Sequence, residues 1–189
     1  MNGSPYLISA RTARPAVAAF LALAALAACG PQQAGKGAAP PTTRFSENGV
    51  TVTLTVSDWR SAQGTLTAVL TPDEEGFHLY SKDLPPTGIE GVGRPTTMAV
   101  TGALRADGPL EAAAEVRTIS VPGVEAPVPV YPDGPVTATL PVSADGNGEA
   151  TVLIGYASCS TEEGCTVPVS DRPVRLRVTD DGPVFAAAP

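Results

Sequence analysis

From residue 50 the chain alternates between apolar and polar positions. Val50, Val52, Leu54 and Val56 fall on one side and Thr51, Thr53 and Thr55 on the other. A period of two marks an extended strand with one face buried, the usual state of an antiparallel sheet that faces water on one side. Further strand-like runs cover 65–70, 77–81, 97–104, 111–121, 136–142, 150–156 and 174–178. Clusters of Gly, Pro, Asp and Asn at 61–64, 72–76, 107–109, 132–135 and 145–148 supply turns between them. The 20 prolines leave little room for long helices. Segment 110–116 is the one helix-compatible piece, and it suits a strand equally. Many short strands with frequent turns predict an all-β domain, an immunoglobulin-like antiparallel β-sandwich over residues 50–179, followed by a C-terminal tail at 180–189. Trp59 precedes both downstream cysteines, so the Cys…Trp…Cys order of antibody domains is absent.

The alternation does not extend to the N-terminus. Arg11 and Arg14 precede an apolar run at 15–28, which is shorter than the roughly 20 residues that cross a bilayer. The run ends in Leu26, Ala27, Ala28 and Cys29, with Gly30 next. This resembles the lipobox of bacterial lipoproteins, where cleavage precedes a cysteine whose sulfur carries diacylglycerol. It implies a signal peptide at 1–28, a lipidated Cys29 and attachment to the extracytoplasmic face of the cell membrane. An ordinary secretory signal is the plainer alternative. Residues 29–49, rich in Gly, Pro, Ala and Gln, read as a flexible tether.

Charge narrows the partners. The chain carries a formal −7, and all 19 acidic residues lie beyond the signal segment. No basic cluster occurs, which argues against nucleic acid and against adhesion to anionic lipid by the domain itself.

With Cys29 assigned to lipid, Cys159 and Cys165 remain. In an oxidising compartment a bond between them is the default. Five residues between them are too few to cross from one sheet to the other and return, so the pair is local. Gly164 suits the positive φ of a turn that brings two antiparallel strand ends together. Closing so short a ring stabilises a fold by about 2 kcal/mol in the chain-entropy model. Glu162 and Glu163 lie inside the loop, and Arg172 is the nearest cation in sequence. Carboxylates disfavour a thiolate. The pair therefore suits a disulfide that waits for a partner's thiolate better than it suits a low-pKa nucleophile. A plain structural staple remains the alternative.

The segment from Gly155 through Tyr156, Cys159 and Cys165 to Pro168 resembles the redox motif of the N-terminal periplasmic domain of DsbD, the thiol:disulfide interchange protein. Gly76-Phe-His-Leu-Tyr80 resembles that family's aromatic strand, and residues 173–178 its trailing strand. The resemblance implies a sandwich that shuttles electrons from a membrane redox partner, usually by way of a thioredoxin-like domain, to oxidised exported proteins. Cys159 and Cys165 would be the redox pair, with Cys165 the more accessible. His78, Tyr80 and Tyr156 would be active-site neighbours. The family caps its cysteines with an aromatic loop residue. The matching segment here, 91–96, holds no aromatic, which implies a more open disulfide.

The resulting expectation is a monomeric, lipid-anchored thiol–disulfide exchange domain with no cofactor. Its partners would be a thioredoxin-like protein or a polytopic membrane redox protein, and its activity that of a protein-disulfide reductase component. The rival is a lipoprotein sandwich used for binding or assembly, with a purely structural disulfide. A third reading, Cu(I) held by both thiols with His78 and Met98, has no spacing that requires it.

Overall fold

The computed structural model describes residues 39–187. The expected signal segment, Cys29, the tether up to residue 38 and the last two residues lie outside them. Strands are the regular elements of the described chain, and no helix occurs among the described residues. In order they are β1 (Thr42–Glu47), β2 (Val50–Arg60), β3 (Gln63–Pro72), β4 (His78–Leu79), β5 (Thr97–Gly102), β6 (Leu104–Ala106), β7 (Glu111–Ala112) and β8 (Arg117–Ile119). Then follow β9 (Val128–Val130), β10 (Val136–Ala144), β11 (Gly148–Tyr156), β12 (Ser158–Ser160), β13 (Gly164–Cys165), β14 (Val169–Thr179) and β15 (Gly182–Phe185).

Two antiparallel sheets form an immunoglobulin-like sandwich. One runs β1-β2-β3-β10-β6, with β7 also on β10; the other runs β15-β14-β11-β5. Alternation explains which side chains meet. Val50, Val52, Leu54 and Val56 of β2, with Leu66, Ala68 and Leu70 of β3, pack against Val152, Ile154 and Tyr156 of β11 and Leu176 of β14. The β2 face read from sequence is thus the buried face, its four aliphatics no more than 1% exposed. Burying each such side chain stabilises the fold by about 1.5–3 kcal/mol before entropy is subtracted.

The boundaries differ at both ends. β1 lies inside the segment that composition assigns to the tether, and β15 lies inside the expected tail. Each is paired to a neighbour, β1 to β2 and β15 to β14, and sets one aromatic, Phe45 or Phe185, against the core. Gly102, at φ +79°, ends β5 within the expected 97–104 run, and a side chain there would strike the Glu149 carbonyl. The expected 111–121 strand is broken into β7 and β8. β9 escaped the sequence reading because Pro127 and Pro129 flank and interrupt it.

A second, smaller layer carries the chemistry. β13-β12-β4 form a three-stranded sheet and β8-β9 a two-stranded one. Tyr80 bridges to Val130, which joins the end of β4 to β9.

Candidate functional site

β11 shifts register between Ile154 and Tyr156, and the chain runs on as β12 into the small sheet. There Cys159 stands opposite Cys165 of β13 on one side and His78 of β4 on the other. Residues directly opposite across antiparallel strands share a face. Tyr80, two residues beyond His78, joins them by the same parity.

Cys159 and Cys165 form a disulfide, with Cα atoms 4.0 Å apart. The Thr166 N–H donates to the Ser158 carbonyl at 2.9 Å. Ser158 and Thr166 are therefore a hydrogen-bonded pair, and the cysteines are the adjacent non-bonded pair, where antiparallel backbones come closest. The connecting turn uses Gly164 at φ +94°. The Ser160 hydroxyl accepts the N–H groups of Glu162 at 3.2 Å and Glu163 at 3.3 Å, which closes the loop locally.

The two sulfurs live in different surroundings. Cys159 is 4% exposed, whereas Cys165 lies on the surface with Glu162 and Glu163. The Tyr80 hydroxyl sits 2.9 Å from Cys159 Sγ and 3.8 Å from Cys165 Sγ. Tyr80 is held from both sides of its backbone. Its N–H donates to Ala157 O at 3.4 Å, and its carbonyl accepts from Thr96 Oγ1 at 2.7 Å. Burial raises the Tyr80 pKa, so the phenol stays protonated and able to donate at neutral pH.

A cover built from aliphatic residues lies over this side. Tyr80, Cys159, Leu84, Val128 and Val130 form one buried cluster, with Ile89 and Val92 packed against it. Ile89 and Val92 exchange backbone hydrogen bonds of 3.0 and 2.9 Å across a tight turn at Glu90 and Gly91, both at positive φ. Gly93 rests on the Tyr80 ring; a Cβ there would lie 2.5 Å from Cε1. Arg94 braces the loop by donating to the carbonyls of Thr87 at 3.0 Å and Gly91 at 3.2 Å. The openness expected from a loop without an aromatic therefore holds at Cys165 and fails at Cys159, because aliphatic side chains do the covering.

His78 is brought to the site, though it is not paired with sulfur in the disulfide state. It is 3% exposed and meets Tyr80 edge to face, with centroids 6.0 Å apart. Its Nδ1 lies 3.5 Å from the carboxylate of Asp133, and its Nε2 is buried without a partner among the described residues. Burial pushes the His78 pKa below 6.5, and the Asp133 carboxylate opposes that shift only in part. The folded chain thus binds this proton less tightly than the unfolded chain. Its contribution to stability is present above about pH 6.5 and is lost as the pH falls through the depressed value. Urea unfolding at neutral and acidic pH is expected to show this loss, at most about 1.4 kcal/mol per pH unit, and His78→Gln is expected to abolish it. Asp133 was legible in sequence only as part of a turn; what marks it is the histidine it faces.

Tyr156 and Met98 lie elsewhere. Both belong to the main core, not to the cluster around Cys159. Cys159 lies three positions beyond Tyr156, and an odd offset on extended chain puts side chains on opposite faces. The expected neighbour of the thiols is instead a brace: the Tyr156 hydroxyl donates to Glu47 O at 2.9 Å. Its pKa is pushed up to about 12, first by burial and then by the Glu47 charge. Tyr156→Phe is expected to cost about 1 kcal/mol in chemical unfolding and to leave the rate of disulfide reduction unchanged. Met98 in the main core also dismantles the Cu(I) set.

The chain is similar to a DsbD N-terminal domain. That solved structure, from Neisseria meningitidis and in the reduced form, shares 13% sequence identity and gives a TM-score of 0.46, over 74% of this chain and 91% of that one. No protein-family model matches the chain, and no curated protein matches it.

Proposed function

We propose that this domain is an extracytoplasmic thiol–disulfide exchange relay. The observation that carries the reading is the asymmetry of the pair: a surface residue, Cys165, bonded to a buried Cys159 whose sulfur already has a hydroxyl beside it. A partner thiolate attacks Cys165 Sγ from the surface side of the pair. A partner–Cys165 bond forms, the Cys159–Cys165 bond breaks, and the electron pair stays on Cys159 Sγ. The Tyr80 O–H, 2.9 Å away, donates to that sulfur as its charge grows. The partner's second thiolate then attacks its own sulfur in the mixed disulfide, and leaves with the disulfide while the domain keeps a dithiol. The reverse sequence on an oxidised target reduces that target and restores the resting bond.

The partner class is a thioredoxin-like protein or a polytopic membrane redox protein, and the activity is that of a protein-disulfide reductase component. Lipidation at Cys29 would hold the domain on the outer face of the cell membrane, close to its donor. Glu162 and Glu163 beside Cys165 suit a disulfide that receives attack.

Equilibration against a thioredoxin buffer of varied poise tests the reading. The relay requires that native protein reach a measurable dithiol fraction within the range thioredoxin spans. The binding-module alternative, with a structural staple, predicts a pair that stays oxidised until the chain unfolds.

A further inference from the structure

The exchange reading leaves one buried titratable group unused. His78 is the chain's single histidine. It is buried opposite Cys159 in the β4–β12 ladder, on the face that carries both sulfurs. With Nδ1–H directed to the Asp133 carboxylate, the neutral ring presents Nε2 as an acceptor, and among the described residues nothing donates to it. A buried acceptor without a donor is costly, and protonation would turn it into a donor. Cys159 Sγ, meanwhile, becomes a buried anion when the disulfide opens, which is costly unless balanced.

We propose that His78, oriented by Asp133, is the proton source that neutralises the buried Cys159 sulfur as the disulfide opens. The inference rests on the exchange reading and deepens it. A solvent proton reaches His78 from the side of Asp133, whose carboxylate is 65% exposed. When the partner thiolate bonds to Cys165, the released electron pair on Cys159 Sγ meets the imidazolium charge, or takes its proton. The ring then returns to neutral and is recharged from solvent. Atoms and charge balance with one proton consumed for each disulfide opened.

The groups facing His78 are consistent with this route. Cys159 faces it from β12, Tyr80 from its own strand and Asp133 from the turn before β10. The mouth at Asp133 is also lined by Asp73, Glu74 and Glu75. Among the described residues no Lys or Arg forms an ion pair with any of these four carboxylates. The entrance is therefore negative, which favours positive charge there and so the arrival of a proton at the ring behind it. The depressed basicity of the buried ring makes it a stronger acid once it is protonated.

The test uses the full chain in its disulfide form and a neutral thiol, methyl thioglycolate, over about pH 8 to about pH 5. Each rate is divided by the concentration of attacking thiolate, which removes the thiol's own titration. The thiolate-specific rate constant is expected to rise about tenfold as the pH falls, along the titration curve of the lone histidine followed by proton NMR. His78→Gln should give a flat profile. Asp133→Asn, a change at an exposed position that should not disturb folding, should move the midpoint to lower pH. A flat profile in a native chain that still exchanges, or the same rise in His78→Gln, would overturn the proposal while leaving the relay intact. A native chain inert to the thiol at every pH would overturn the relay, and this proposal with it.

Discussion

Cys159→Ser is expected to leave a Cys165 thiol that iodoacetamide alkylates about a hundredfold faster than the Cys159 thiol left by Cys165→Ser. The reason is geometric. Cys165 lies on the surface at the edge of the small sheet, while Cys159 is 4% exposed under Leu84, Val128 and Val130. Alkylation needs an open line to sulfur, and only one of the two has it. Mass spectrometry after timed quenching reads both rates. Addition of denaturant should erase the difference, since it removes the cover and leaves two ordinary thiols. Equal rates in the folded variants would mean that the aliphatic cover opens freely, and the directionality argued above would lose its basis.

Tyr80→Phe is expected to slow reduction of the disulfide by dithiothreitol about tenfold, while chemical unfolding shifts by about 1 kcal/mol or less. The ring stays, so the contacts with Leu84 and Gly93 stay. What is lost is the hydroxyl 2.9 Å from Cys159 Sγ. Sulfur in a disulfide is a weak acceptor, so the resting state loses little. A thiolate is a strong acceptor in the same place, so the loss falls on the opening step. The effect should appear as a raised Cys159 thiol pKa in the Cys165→Ser background, read by thiolate absorbance. An unchanged rate with an unchanged thiol pKa would reduce Tyr80 to a packing residue.

The sandwich was legible because its core strands keep their period. Val50, Val52, Leu54 and Val56 alternate without interruption, and the structure buries each of them. The local disulfide was legible from spacing and from Gly164, whose positive φ the turn uses. The edge strands were not. β1 and β15 each set a single phenylalanine against the core, too little to form a pattern, and the prolines of β9 read as breaks. The site was half legible. Strand parity from His78 to Tyr80 places both beside Cys159, and the same parity places Tyr156 in the main core. The cover over Cys159 could not be read from aromatic content, because Leu84, Ile89 and Val92 do that work from a loop whose path is set by Gly93 and Arg94. The partner of His78 was hidden for a related reason: Asp133 is distant in sequence, and only β9 and the turn after it bring it near.

The central claim is that a partner enters at Cys165 and that Cys159 leaves. A thioredoxin-fold protein whose resolving cysteine is replaced by serine cannot complete exchange, so it should remain trapped on the oxidised domain. Peptide mapping of that adduct by mass spectrometry decides the matter directly. The structure predicts a bond between the partner and Cys165, with Cys159 recovered as a free thiol. An adduct on Cys159 would contradict the assigned direction of attack, and the absence of any adduct under native conditions would contradict the relay.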